Sequence, residues 1–338
     1  MKRKHSLIST TVGLLFVAGL TACGAEQDAG GDPEDVDTGG ETEEAEGETE
    51  EVGDADADIR IGMSVLDLGN PFFVSLTEDV EAIAEEDGYE VIINDPQDDV
   101  NQQIDAIQNF VSQGVDAIIV TATDQNAIDD AVTEATEADI PVIAHTTMLE
   151  NADAWVGADE YDMGTALGEQ AGDWINEVHD GAGEVGIINF DQIEQVIDRK
   201  EGIIDGIKEQ ADGAEVVGDQ QAGDPNAAYE VSEGFIQANP DLVGIFSFND
   251  AGALGAANAA EAAGLDDEEF AVGGIDAVPE AIEAIRDGGH LKFTVDQQPD
   301  LTAETLMDVT NAILNDEDYE EENEIEVQPV SEDNIDDF

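Results

Sequence analysis

The chain has 338 residues, with 84 Asp and Glu against nine Lys and Arg, and a formal net charge of −75 at pH 7. A surface this acidic excludes nucleic acid and anionic lipid headgroups as electrostatic partners. It also repels itself, which is tolerable where the Debye length shrinks to about 3 Å near 1 M salt, so the balance points to a halophilic source.

Residues 1–22 read as an export signal. Lys2, Arg3 and Lys4 form a positive start, residues 7–20 an apolar run too short to span a bilayer comfortably, and Thr21 and Ala22 a small-residue exit. Cys23 follows at once. It is the only cysteine, which excludes a disulfide framework. Its place reads as a bacterial-type lipobox, whose thiol takes a lipid and becomes the new N-terminus; the alternative is an ordinary signal peptide beside an unrelated cysteine. The expected location is extracytoplasmic, on a membrane surface. Residues 24–57 hold no Lys or Arg and almost no large apolar side chain. Such a segment cannot bury enough surface to fold and reads as an acidic tether running from residue 23.

From residue 59 onward, short β-rich runs alternate with helical periods. A strand is expected at 59–65. Phe73, Leu76, Val80 and Ile83 then recur at helical spacing until Gly88. A strand at 89–93 precedes a helix marked by Ile104, Ile107 and Val111 and ended by Gly114. A buried strand at 117–120 leads to a helix through Ile128, Val132 and Ala135, and Pro141 opens the next strand. Beyond it, strands are expected near 184–189, 214–218, 243–247, 270–275 and 292–296. Helices are expected near 163–178, 200–210, 227–238, 251–263, 279–287 and 301–314.

Alternating β and α units imply parallel sheets with helices on both faces. About 270 folded residues exceed one such core, so two α/β lobes fit better. Ligands of parallel sheets sit beyond the carboxyl ends of the strands, which for two facing lobes is the cleft between them. Polar and aromatic residues just after each strand are therefore the candidates. After the first strand, Asn70 fits a helix N-cap and Pro71 the first turn. Phe72 and Phe73 adjoin each other there; either both pack under the loop, or one or both line the cleft and offer flat apolar faces to a ring.

The segment Asn70-Pro71-Phe72-Phe73-Val74-Ser75-Leu76 resembles the opening of the ribose-binding branch of bacterial periplasmic sugar-binding proteins. The resemblance runs from about residue 59 to 330. It continues through Gly114-Val115-Asp116-Ala117-Ile118-Ile119, Ile140-Pro141-Val142-Ile143 and Asn239-Pro240-Asp241-Leu242. Asn249-Asp250-Ala251-Gly252, Gly274-Ile275-Asp276 and Asp296-Gln297-Gln298-Pro299 complete it. It implies two Rossmann-like lobes with parallel sheets joined by a three-segment hinge, the type I periplasmic binding protein architecture. Lobe 1 would comprise 58–160 plus 298–324, and lobe 2 161–297 plus 325–338. It further implies a monomeric, non-enzymatic receptor without cofactor. Such a receptor captures a monosaccharide or polyol and hands it to the permease and ATPase of an ABC importer.

Carried over residue by residue, the family's sugar contacts fall on Ser64, Asn70, Phe72 and Phe73 in the first lobe. In the second they fall on Arg199, Asn249, Asp276 and Gln297. Asn, Gln and Asp pair with vicinal hydroxyls, and an arginine fork bridges two of them. For Arg199 the alternative is an ion pair with Asp198 or Glu201 on the helix surface. Asn249 also suits the N-cap of the following helix. Two departures stand out. An acid–base pair expected after the fourth strand is replaced by His145-Thr146-Thr147, and Asp224 stands where an aromatic often covers the sugar. These four residues are candidate ligand contacts, and the loss of charge suits a different pentose, a hexose or a cyclic polyol rather than ribose. His145 lacks a metal partner at ligand spacing. The other readings are a sugar or autoinducer sensor for a signalling or chemotaxis partner, and a glycosidase using Asp250 and Asp276. Walker, Ser-His-Asp and Cys-His patterns are missing.

Overall fold

The computed structural model describes residues 59–192 and 194–338; the expected signal, Cys23 and tether lie outside them. In chain order the first part runs β1 (Arg60–Ser64), α1 (Pro71–Asp87), β2 (Glu90–Asn94), α2 (Val100–Gln113), β3 (Ala117–Thr121), α3 (Gln125–Glu137), β4 (Val142–His145) and β5 (Ala154–Gly157). The second runs α4 (Glu160–His179), β6 (Ala182–Asn189), α5 (Glu194–Gln210), β7 (Gly213–Gln221), α6 (Pro225–Ala238), β8 (Leu242–Ser247), α7 (Asp250–Ala263), β9 (Ala271–Gly273), α8 (Pro279–Asp287) and β10 (Leu291–Asp296). Last come α9 (Pro299–Leu314), β11 (Glu322–Glu324), β12 (Gln328–Ser331) and a short 3-10 helix at Ile335–Asp337.

Two six-stranded sheets result, ordered β11-β5-β4-β3-β1-β2 and β12-β10-β9-β8-β6-β7. The first is parallel throughout, and in the second only β12 runs antiparallel, against β10. In each sheet the order reverses beside its first strand, which opens a crevice at the carboxyl ends. The chain passes between the sheets at β5→α4, β10→α9 and β11→β12.

Local chemistry sets the element ends. Asn70, Asp99, Asp124, Asp224 and Asn249 cap helices through side-chain oxygens that accept backbone N–H groups. Gly88 and Gly114 end α1 and α2 with positive φ, 78° and 64°. The strands β3 and β4 are wholly buried, as parallel strands under two helical layers must be. Each sheet accordingly has two apolar cores. In the first, α1 and α9 cover one face and α2 and α3 the other. In the second, α4 and α5 cover one face and α6, α7 and α8 the other.

The α4–α5 contact is unusually close. A Cβ on Gly164 would stand 1.9 Å from the carbonyl oxygen of Arg199, and one on Gly202 would stand 2.2 Å from that of Tyr161. Only glycine admits this approach, and it brings Arg199 against the first turn of α4. Among the described residues, the sequence pattern anticipates β1–β4, β6–β10 and α1–α9, most to within a few residues, though α5 begins at Glu194 rather than near 200. It gives no sign of β5, β11, β12 or the 3-10 helix, which are short and, in β11, polar and largely exposed.

Candidate functional site

Between the carboxyl ends of the two sheets lies a cavity of about 240 Å³. Asn70, Phe72, Phe73, Thr146 and Thr147 line it from the side of the first sheet. Arg199, Asp224, Asn249, Asp276 and Gln297 line it from the side of the second. Ten of the twelve candidate contacts therefore line one cavity.

Two do not. Ser64 is fully buried; its hydroxyl donates to Asn94 Oδ1 at 3.0 Å and accepts from Gln103 Nε2 at 3.2 Å, which ties β1 to β2 and α2. Its polar capacity is spent inside the lobe. His145 is also buried, with Nδ1 2.8 Å from Thr121 Oγ1, and its ring stacks behind Phe72 at 6.3 Å and 15°. Burial pushes its pKa down from 6.5 to about 4, so the imidazole is neutral and supports the wall.

Phe72 and Phe73 meet edge to face at 5.2 Å. Opposite them, Phe190 and Phe248 stack at 5.7 Å and 14°, and both line the cavity. Neither was among the candidates, although each directly follows a strand, the place where ligand residues are expected. Phe190 also accounts for the departure at 223–225: a Cβ on Gly223 would stand 2.6 Å from its ring, so the ring fills that space.

Arg199 faces the cavity and not the helix surface. Its Nε donates to Glu160 Oε2 at 2.6 Å and its Nη1 to the Phe248 carbonyl at 2.9 Å. Burial by itself would lower its pKa, but the carboxylates of Glu160 and Asp276 raise it, so the guanidinium is charged. Glu160, on the first crossover, also lines the cavity. It was missed because its partner lies 39 residues away and no local pattern links them.

Asp276 is buried, and its Oδ1 accepts from Gln297 Nε2 at 2.6 Å. Its Oδ2 is buried with no partner. Burial raises its pKa to about 6, against the opposing pull of Arg199, Gln297 and Asn70. The backbone here has φ of 125° at Asp276 and 52° at Ala277. Asp250 braces that turn: Oδ2 accepts from Val278 N at 3.0 Å and Oδ1 from Thr294 Oγ1 at 2.8 Å. Burial and the neighbouring Asp276 push Asp250 well above the usual carboxylate range. Both its oxygens are engaged internally and it is not part of the cavity wall, so it does not form a glycosidase pair with Asp276. Asn70, Asp224 and Asn249 each do two jobs, capping α1, α6 and α7 while lining the cavity.

Residues 61–318 match the periplasmic binding protein domain family. The chain belongs to that family. It is 32% identical over 262 residues to the ribose import binding protein of Bacillus subtilis strain 168, covering 76% of this chain and 82% of the relative. Among solved structures, an ABC transporter solute binding protein from Bacillus halodurans C-125 with bound myo-inositol is 30% identical. It superposes with a TM-score of 0.75, over 84% of this chain and 98% of the other. A periplasmic solute binding protein from Actinobacillus succinogenes with bound D-allose is 25% identical with a TM-score of 0.77, over 83% and 100%. The periplasmic binding proteins are extracytoplasmic and non-enzymatic, and the two-lobed α/β architecture of this chain is theirs.

Proposed function

We propose that this periplasmic binding protein is a receptor that captures a monosaccharide or cyclic polyol between its lobes and delivers it to an ABC importer. The observation that carries the reading is Asp276, whose buried Oδ2 has no hydrogen-bond partner, in the lining of a cavity that also holds the Arg199 fork and two pairs of aromatic faces. A ligand hydroxyl satisfies it; an unsatisfied buried carboxylate oxygen is costly. Ligand bridging both walls favours the closed form by differential binding. The relatives support the ligand class, since their ligands are ribose, D-allose and myo-inositol. The threonines at 146–147 favour a ligand other than ribose.

A thermal-shift screen of pentoses, hexoses, inositols and linear polyols in about 2 M KCl tests this, with surface charge screened. A ligand at a hundred times its Kd adds about 2.7 kcal/mol of stability. No shift with any of them in a folded sample overturns the ligand class.

The finer picture includes a lipid anchor at Cys23, an acidic tether to residue 57, a halophilic host and a monomeric state. The basic-apolar-Cys order and the net charge of −75 support the first three. Cys23→Ser releases the protein from membranes if the anchor is real. Dilution from about 2 M salt to a long Debye length lowers Tm if the charge is adapted to brine.

A further inference from the structure

Thr146 has a φ of 63°, a region that β-branched residues rarely enter. Thr147 N donates to the His145 carbonyl at 2.7 Å, closing a three-residue γ-turn of the strained, positive-φ kind around Thr146. Such a turn persists only where its surroundings hold it.

The restraint comes from β5. Thr146 N donates to the Val156 carbonyl at 3.1 Å, and the indole Nε1 of Trp155 donates to the Thr146 carbonyl at 2.8 Å. Gly157 adds clearance, since a Cβ there would stand 3.0 Å from both N and Cα of Thr146. Trp155 is itself fixed: its N donates to the Glu321 carbonyl at 2.8 Å, its carbonyl accepts from Asn323 Nδ2 at 3.2 Å, and its strand pairs with β11. It is buried and forms no part of the cavity wall.

We infer that Trp155 is a positioning residue for ligand selectivity: from behind the cavity its indole N–H fixes the Thr146 carbonyl, and so fixes where the Thr146 and Thr147 side chains meet the ligand. The inference rests on reading the cleft as a sugar or polyol site. Without the indole bond the Thr146 carbonyl loses its partner, and the backbone of Thr146 is free to relax toward negative φ. The two side chains then leave their positions. Discrimination between stereoisomers of a polyol depends on such placement, because a misplaced hydroxyl leaves buried groups unpaired.

Trp155→Phe keeps the aromatic bulk and removes the donor. Gly157→Ala keeps the donor and presses on the turn from the same strand, which covers the case where the first variant does not fold. Residue-resolved amide hydrogen exchange of purified protein, with no ligand, is expected to show Thr147 exchanging roughly tenfold faster in either variant, as loss of about one hydrogen bond implies. Titrations with D-ribose, D-allose, myo-inositol and L-arabinose are expected to show the spread of affinities compressed about fivefold or more, again the scale of one hydrogen bond. Unchanged Thr147 exchange overturns the positioning role whatever the titrations show. Faster exchange with an unchanged ranking and spread overturns the link to selectivity. If the wild-type protein binds none of the four, the sugar reading and the selectivity role fail together, while exchange still decides whether Trp155 holds the turn.

Discussion

The two walls of the cleft differ in electrical character. Among the described residues, every buried charged side chain belongs to the second lobe or its crossover: Arg199 and Asp276 in the wall, Asp250 behind it, with Glu160 almost as enclosed. The buried polar residues in the first wall or behind it, Thr121 and Thr147 in the lining with Ser64, Gln103 and His145 behind, are neutral, and of its two lining carboxylates Asp98 is exposed and Asp67 half-buried. The difference teaches a division of labour. The second wall holds preorganised charges that need a ligand to complete them. The first offers hydroxyls and aromatic faces, whose contribution depends on shape.

The largest effect is expected at Arg199. Arg199→Ala removes the fork and leaves Glu160 buried without its cation. Ligand affinity should fall by about 2 kcal/mol or more, and stability should fall as well, because breaking a buried pair costs about 3–5 kcal/mol. Adding Glu160→Gln should restore much of the Tm but none of the affinity. Calorimetric titration and melting of the single and double variants check this; affinity regained in the double variant would place the binding role on Glu160 instead.

The walls should also respond to acid with opposite signs. His145 has its pKa lowered from 6.5 to about 4. The unfolded chain therefore binds the extra proton first, and the native state loses stability as pH falls from 6.5 toward 4, by up to about 3 kcal/mol. Asp276 is raised from 3.8 to about 6. Its contribution is present below 3.8 and is lost as pH rises through 6. Over the shared window the two partly cancel. In melting curves against pH, His145→Gln should leave a Tm that rises on acidification, and Asp276→Asn should leave one that falls more steeply than wild type. Ligand affinity should weaken as pH drops through about 6, because the ionised Asp276 is the better acceptor. A flat affinity profile would show that the ligand accepts equally well from the neutral acid.

The same contrast explains what the sequence revealed. The α/β units were legible because strands such as β3 are apolar throughout and helices such as α1 begin at Asn70-Pro71 and stop at Gly88. The edge strand β11, Glu322-Asn323-Glu324, carries no pattern because it is short, polar and largely exposed, with no apolar face to bury. Within the site, Asn70, Asn249, Asp276 and Gln297 were legible because they follow apolar strands, where polar groups need partners, whereas Arg199 sits inside α5 and was legible through the family resemblance. Phe190 and Phe248 obeyed the same positional rule and were overlooked. Ser64 and His145 obeyed it and still turned inward, because Gln103 and Thr121, on other elements, claim their polar atoms. Glu160 had no local signal at all.

The smallest effect is expected on the first wall. Thr147→Val keeps the shape and removes one hydroxyl from a buried position lining the cavity. If the neutral wall contributes by fit, the loss should be about 1 kcal/mol, the worth of one hydrogen bond between uncharged groups, and it should vary from one stereoisomer to the next. The charged wall should show the reverse pattern: Arg199→Ala weakens all binding ligands by similar amounts, because the fork serves any pair of hydroxyls. Titrating both variants against the same stereoisomers separates the two. A uniform loss in Thr147→Val would mean that the first wall anchors the ligand as the second does. A stereoisomer-dependent loss would assign recognition of the particular sugar to the neutral wall, where this chain carries two threonines in place of a charged pair.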